Sequence, residues 1–125
     1  MLIEDKKNAA NDAIDAWARF LAMEAAVTAW AVDKEAFLAE RLSFGSLAAA
    51  KLRLQDYQTA IKSAKAATSN LAEMNRELTK ITAVGSAGDL FERRETAERV
   101  KAEAESALVE RSAMLAELTE VRMIW

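Results

Sequence analysis

The stretch at residues 30–38 reads WAVDKEAFL and sets two aromatic side chains, Trp30 and Phe37, seven residues apart. Seven residues are two helical turns, so both rings lie on one face of a helix. Phe20 and Val27 extend the same face toward the N-terminus, again seven residues apart. The stretch therefore predicts a long amphipathic helix whose aromatic face packs in a core.

The composition of the rest of the chain agrees with a helical fold. The 125 residues include no proline and only three glycines, while Ala, Leu, Glu, Lys and Arg are abundant. These are strong helix formers, and few residues are present that would break a helix. The length suits one domain with a single core. We therefore expect a single all-α domain over residues 1–125.

The absence of cysteine and histidine narrows the chemistry that the chain can perform. Disulfides, thiolate metal sites, imidazole metal sites and the commonest general base are all excluded. Acid–base work by carboxylates also needs an apolar pocket that separates their pKa values, and the adjacent turns of one predicted helix do not supply such a pocket to Glu103 and Glu105. We expect no catalytic residue, no metal site and no cofactor, and hence no enzyme.

The charge pattern bears on the partners of the chain. Seventeen basic and twenty acidic side chains give a net charge of −3, and the two signs are interspersed. No basic tract is present to neutralise a run of phosphates, so we expect no nucleic-acid partner. No run of about twenty apolar residues and no readable signal peptide occur, so the expected location is the cytoplasm.

Two stretches that combine glycine with serine divide the chain, SFGS at 43–46 and AVGSAG at 83–88. They predict three helices, over about residues 11–41, 47–82 and 90–125, with Ser46 as the N-cap of the second. Short loops make sequential helices antiparallel neighbours, so the expected fold is an up-down-up, left-handed coiled-coil bundle of three helices. One continuous core predicts one cooperative unfolding transition.

The predicted core follows steps of three and four along each helix. Lys34, Thr68 and Asn75 interrupt these rows with polar side chains. Three further aromatic or apolar residues, Trp17, Ile124 and Trp125, are candidates for contact with a neighbouring unit or a second copy. The predicted core residues are Phe20, Val27, Trp30, Phe37, Leu54, Ile61, Leu71, Leu78, Val100, Leu108, Leu115 and Leu118.

The residues of the first helix resemble a spectrin repeat, a family of three-helix rod units. That family carries an aromatic residue and then a core tryptophan, a Lys-Glu pair and an apolar residue. In the later segments, an aromatic-Gly step in the first loop and an Arg-Leu step in the third helix are also similar. The matching positions here are Phe20, Trp30, Lys34, Glu35, Leu38, Phe44, Gly45, LQDYQ at 54–58, LAEMN at 71–75, Arg111 and Leu115.

One departure from the family is specific. The tryptophan that many spectrin repeats carry in the third helix is missing, because the matching region reads RVKAEAE at 99–105. This region predicts a slimmer core along the third helix. The shared motifs are packing motifs, so they bear on the fold more directly than on the function.

The resemblance implies a structural rod segment of an actin-associated cytoskeletal protein, of the spectrin, α-actinin, dystrophin, nesprin or spectraplakin kind. The implied partners are neighbouring repeats of the same chain and, through other domains, the actin cytoskeleton; a homodimer is compatible with the family. The alternative is a membrane-binding helical module of the BAR or sorting-nexin kind, also built from three long helices. Such modules bind anionic lipid through a cationic surface, and the interspersed charges here argue against direct membrane binding.

Overall fold

In the computed structural model, residues 2–40 and 45–120 are described, with side chains from residue 11 to 40 and from 45 to 119. These residues form three helices and no strand: α1 is Leu2–Ala39, α2 is Leu47–Thr82 and α3 is Leu90–Glu120. The all-α, three-helix fold is therefore confirmed. The first helix begins nine residues earlier than predicted, and the predicted end points of the first and third helices, 41 and 125, lie outside the described residues.

The contacts between helices establish their order in space. Arg19 of α1 forms an ion pair with Glu77 near the end of α2, with 3.0 Å between Nη2 and Oε2. At the other end, the ring of Phe37 lies 4.6 Å from that of Tyr57, centroid to centroid. Arg111 of α3 reaches back to the carbonyl of Leu38. Thus α1 and α3 run parallel and α2 runs against both, the expected up-down-up order.

The helix boundaries follow from local sequence. The Ser46 hydroxyl accepts a hydrogen bond from the Ala49 N–H at 3.2 Å, so Ser46 is the N-cap of α2, as predicted. Between α2 and α3 the chain turns through Gly88, whose φ of 58° is in the left-handed region that glycine adopts without strain. The predicted break at 83–88 is therefore a turn.

The inward face of α2 differs by one residue from the predicted row. Thr68 and Asn75, which were expected to interrupt the core, are exposed, and Ala67 and Met74 are buried in their place. Ile61 is half-buried at the edge of the core for the same reason. The buried residues of this face follow steps of three and four: Ala60, Ala64, Ala67, Leu71, Met74, Leu78 and Ile81.

The inward face of α3 carries cationic residues that apolar patterning did not identify. Arg94 and Arg111 are half-buried and Lys101 is buried, each at a position in line with buried apolar residues. Val100 is consequently half-buried at the flank instead of central. The full inward row, in steps of four and three, is Leu90, Arg94, Ala97, Lys101, Ala104, Leu108, Arg111 and Leu115.

Leu118 was predicted to lie in the core and is 41% exposed, so that prediction is wrong. Arg111 lies beside Leu38, only one residue before α1 ends at Ala39. Leu118 is seven residues further along α3, about 10 Å at 1.5 Å per residue. It therefore lies about two turns past the level of Ala39, where α1 ends.

The other predicted core residues fall into two groups. Six are buried: Phe20, Val27, Leu71, Leu78, Leu108 and Leu115. Five are half-buried: Trp30, Phe37, Leu54, Ile61 and Val100.

Among the described residues, the core divides into two clusters instead of the single one expected. The first cluster lies toward the α2–α3 turn and includes Phe20, Leu78 and Leu90. The second includes Tyr57 and Leu108 and lies toward the α1–α2 end. Trp30 packs against both. Its Nε1–H donates a hydrogen bond to the Ser63 hydroxyl at 2.8 Å.

We predict that Trp30→Ala costs about 3 kcal/mol of unfolding free energy, as expected for truncating a large aromatic side chain that packs on two clusters. Trp17→Ala should cost less, about 1 to 2 kcal/mol, because one face of its ring already borders an open groove. Val32 is 58% exposed, so Val32→Ala is the control and should change stability by less than about 0.5 kcal/mol. Urea denaturation measures all three. Equal losses for the two tryptophan variants would contradict the central position of Trp30.

Candidate interaction surface

An apolar groove lies at one end of the bundle, between the first half of α1 and the end of α2. Its walls are Ile14, Trp17 and Leu21 on one side and Ile81 and Val84 on the other. We call it the Trp17 groove. Ile14 is 67% exposed, so the groove opens to solvent. Apolar surface of this kind is typical of a site where another protein segment packs.

Trp17 is half-buried and packs against the first core cluster. A Cβ atom placed on Gly88 would lie 3.8 Å from the Trp17 ring, so the turn passes close to the indole. Trp17 thus contributes to the core of its own unit while lining the groove. The two other candidate contact residues, Ile124 and Trp125, lie outside the described residues.

The opposite end of the bundle also exposes apolar side chains. Leu52 of α2 and Met114 and Leu118 of α3 are all exposed. Arg111 of α3 contacts Tyr57 of α2, and the two helices are antiparallel. Leu52 precedes Tyr57 by five residues, so it lies at the level of the residue five positions after Arg111, close to Met114. Both ends of the bundle therefore expose apolar side chains, and at the end that holds Trp17 these side chains line a groove.

Glu77 is the buried carboxylate beside the Trp17 groove, with a side chain only 6% exposed. Its carboxylate accepts a hydrogen bond from Arg19 Nε at 3.1 Å and lies 3.4 Å from Lys80 Nζ. Burial acts to raise the pKa of Glu77, but the hydrogen bond from Arg19 and the positive charges of Lys80 and Arg19 outweigh it, so the pKa lies below its usual value. Glu77 is therefore held ionised, as a link between α1 and α2.

A second ion pair joins α1 to α3. Arg93 donates from Nε to Glu24 Oε2 at 2.8 Å and from Nη2 to the other carboxylate oxygen. This two-point geometry matches the planar guanidinium to the carboxylate. The hydrogen bond from Arg93 to Glu24, opposed by burial, raises the pKa of Arg93 further. Ion pairs thus connect both α2 and α3 to α1 near the Trp17 groove.

At the other end, Arg53 of α2 covers the aromatic pair. Its guanidinium carbon lies 4.6 Å from the centre of the Phe37 ring and 5.5 Å from that of Tyr57. The same guanidinium pairs with Glu40 at 2.7 Å. A cation over aromatic faces adds attraction beyond burial. Arg53 therefore holds the end of α1 against the start of α2.

The predicted polar interruption of α1, Lys34, is half-buried, and its Nζ lies 2.9 Å from the Asp33 carboxylate. This agrees with a buried stem and an ammonium group that reaches an acidic neighbour. Of the two glutamates weighed for acid–base chemistry, Glu105 binds Lys101 at 3.0 Å and Glu103 is exposed.

Among the described residues, no cluster of three or more histidine, cysteine, aspartate or glutamate residues has the arrangement of a metal site. None of the three helices, over the described residues, is long and apolar enough to cross a membrane.

Comparison with known proteins gives one informative similarity. The chain is 36% identical over 118 residues to Muscle-specific protein 300 kDa of Drosophila melanogaster. The aligned region covers 94% of this chain and 1% of that protein, so the chain spans about a hundredth of its relative's length. No protein-family model matches the chain, and no solved structure matches it. The chain is therefore similar to a short segment of a very long protein.

The lowered pKa of Glu77 predicts a pH dependence of stability. In the unfolded chain the carboxyl titrates near its usual value of 4.5, and in the folded protein it titrates lower. Its stabilising contribution is thus fully present above about pH 4.5 and is lost as the pH falls through the folded pKa. Glu77→Gln should therefore flatten the loss of unfolding free energy between about pH 6 and about pH 3, measured by urea denaturation.

The matched control is Glu103→Gln, since Glu103 is exposed on α3. This variant should keep the wild-type dependence on pH. If Glu77→Gln and Glu103→Gln give the same curve as the wild type, the ion pair between α1 and α2 does not contribute to stability.

Proposed function

We propose that this chain is a non-enzymatic structural rod segment, one three-helix unit of the spectrin-repeat kind within a longer actin-associated cytoskeletal protein. The observation that carries the proposal is the serial geometry of the bundle. α1 begins at the end that holds the Trp17 groove, and α3 finishes at the opposite end. At 1.5 Å per residue the 36 residues of α2 span about 54 Å, so entry and exit of the chain are far apart.

The helices also extend beyond the three-helix region. Trp17 lies beside the α2–α3 turn, while α1 already begins at Leu2. At the other end, α3 continues for nine residues past Arg111, which is level with the end of α1. Units with such extensions can be joined in series through a continuous helix, because the last helix of one unit points in the same direction as the first helix of the next.

The similarity to Muscle-specific protein 300 kDa supports the proposal that this chain is one part of a much longer protein. A segment that matches about 1% of a protein is one small part of it, and the name of that protein places it in muscle. We propose that the present chain also belongs to a protein that bears load, located in the cytoplasm and on the cytoskeleton. Neighbouring units would contact the Trp17 groove, and actin would be bound by other domains of the parent protein.

The polar contacts suit a segment that carries tension along its axis. Arg19 with Glu77 and Arg93 with Glu24 each join two different helices, and Arg53 of α2 binds Glu40, the residue that follows α1. They resist sliding of one helix past another, because sliding would separate partners that are held at fixed levels.

The membrane-binding alternative needs a surface of free cations for anionic lipid. Four of the cationic side chains, Arg19, Arg53, Arg93 and Lys101, are instead matched with acidic groups in ion pairs.

The proposal predicts coupling between neighbouring units. Joining this chain to the unit that follows it in the parent sequence should raise its thermal midpoint, because interfaces between neighbours add to the stability of linear arrays. Calorimetry compares the single unit, the native pair, and the same pair separated by a flexible Gly-Ser linker. The native pair should melt highest, and the linker pair should melt like the single unit. Equal midpoints in all three proteins would contradict a continuous load-bearing rod.

A further inference from the structure

Near the middle of the bundle, each of the three helices places an alanine at an inward position. Ala31 of α1, Ala64 of α2 and Ala104 of α3 are all buried. These three alanines lie at the same level along the bundle axis. The hydrogen bond from Trp30 to Ser63 shows which residues of α1 and α2 lie side by side. Two contacts, Glu24 with Arg93 and Leu38 with Arg111, do the same for α1 and α3 on either side of this level. At these three inward positions, each helix therefore contributes only a methyl group.

Lys101 occupies the remaining inward position at this level. The residue is buried, and its ammonium group donates to Glu105, one turn further on the same helix, at 3.0 Å. A lysine stem fills space as an apolar chain does, while its charged end must reach a polar partner. Because that partner lies on α3 itself, the ion pair does not tie α3 to α1 or α2. We call this level, formed by Ala31, Ala64, Lys101 and Ala104, the waist.

The two core clusters lie on either side of the waist, and each half has its own contacts between helices. The half toward the α2–α3 turn has the ion pairs Arg19–Glu77 and Arg93–Glu24. The other half has Arg53 over the Phe37 and Tyr57 rings, and the bonds from Arg111. Trp30, which packs against both clusters, is the principal side chain that joins them among the described residues.

We propose that the bundle consists of two cooperative units that meet at the waist, and that the half containing Tyr57 and Leu108 opens while the other half stays folded. Within the described residues, eleven buried side chains form the first cluster and four form the second. On the described residues, this smaller number of fully buried side chains makes the second half the one that we expect to open first. Among the described residues, Trp30 is the side chain named as packing against both clusters, so we expect the first cluster to lose little when the second half opens.

This device goes beyond the structural role. If the chain is a rod segment, as proposed above, tension would lengthen it in two steps and expose the surface around Tyr57 and Leu108 first. That consequence rests on the proposed function, whereas the two-unit organisation is tested on the isolated chain. The failure of one is therefore distinguishable from the failure of the other.

Residue-resolved amide hydrogen exchange on the wild-type chain tests the proposal directly. Amides at 54–61 and 105–115 should exchange through one shared opening. Amides at 67–81 and 90–97 should be at least about tenfold slower, since they require opening of the whole bundle. Fraying from the helix ends would give a smooth gradient instead of a step at the waist, and such a gradient would overturn the proposal.

Ile81→Val makes the test sharper because it weakens only the first cluster, where Ile81 is buried. Exchange at 67–81 and 90–97 should become about fivefold faster, in line with the usual effect of removing one methylene group. Exchange at 54–61 and 105–115 should stay unchanged, because their opening does not disturb Ile81. Equal acceleration at all these amides would show a single cooperative unit.

Lys101→Met should join the two halves of the bundle into one cooperative unit. Methionine keeps the length of the stem and removes the charge, so the waist becomes continuous apolar core. The two groups of amides should then approach the same exchange rate. The control is Lys65→Met, since Lys65 is an exposed residue of α2 near the same level. A wild-type step that persists in Lys101→Met would mean that Lys101 does not divide the core.

Discussion

The constraint on which the structure depends is the placement of cationic side chains on the inward face of α3. Arg94 donates from Nε to the Leu71 carbonyl of α2 at 3.1 Å. Arg111 donates to the Leu38 carbonyl of α1 at 2.5 Å and approaches the Tyr57 hydroxyl at 3.4 Å. A guanidinium in a core must find such acceptors, because an unpaired buried charge is costly. These bonds therefore restrict the levels at which α3 can lie against the other two helices.

The same face explains why α3 looks weakly patterned in sequence. Ala97 and Ala104 stand between the cationic residues and leave room for their long stems, so the helices can still approach. The three largest of the fully buried side chains, Phe20, Met74 and Tyr57, come from α1 and α2, while α3 contributes the leucines Leu90, Leu108 and Leu115. The slim core predicted along the third helix reflects this distribution of side-chain sizes among the helices. It also produces the waist, where alanines from all three helices meet Lys101.

Periodicity and turn chemistry were enough to predict three helices, their order and the Ser46 cap, because these depend on neighbouring residues. Burial of Glu77 could not be predicted in this way, since its partner Arg19 is 58 residues away. The exposure of Leu118 depends on where α1 ends, and the outward position of Thr68 depends on the rotation of α2 against its neighbours. The cationic positions of α3 had one usable signal: Arg94, Lys101, Leu108 and Leu115 recur at intervals of seven.

The central claim, that Arg94 and Arg111 set the register of α3, is tested most directly by a distance between two helices. The chain has no cysteine, so spin labels can be placed at the exposed positions Lys62 and Glu103. Pulsed electron paramagnetic resonance should give one narrow distance distribution for the otherwise wild-type chain. With Arg94→Leu and Arg111→Leu together, the account predicts a broadened distribution or a second maximum at longer distance, from molecules in which α3 is displaced along its axis by one heptad, about 10 Å. An unchanged narrow distribution in that variant would contradict it.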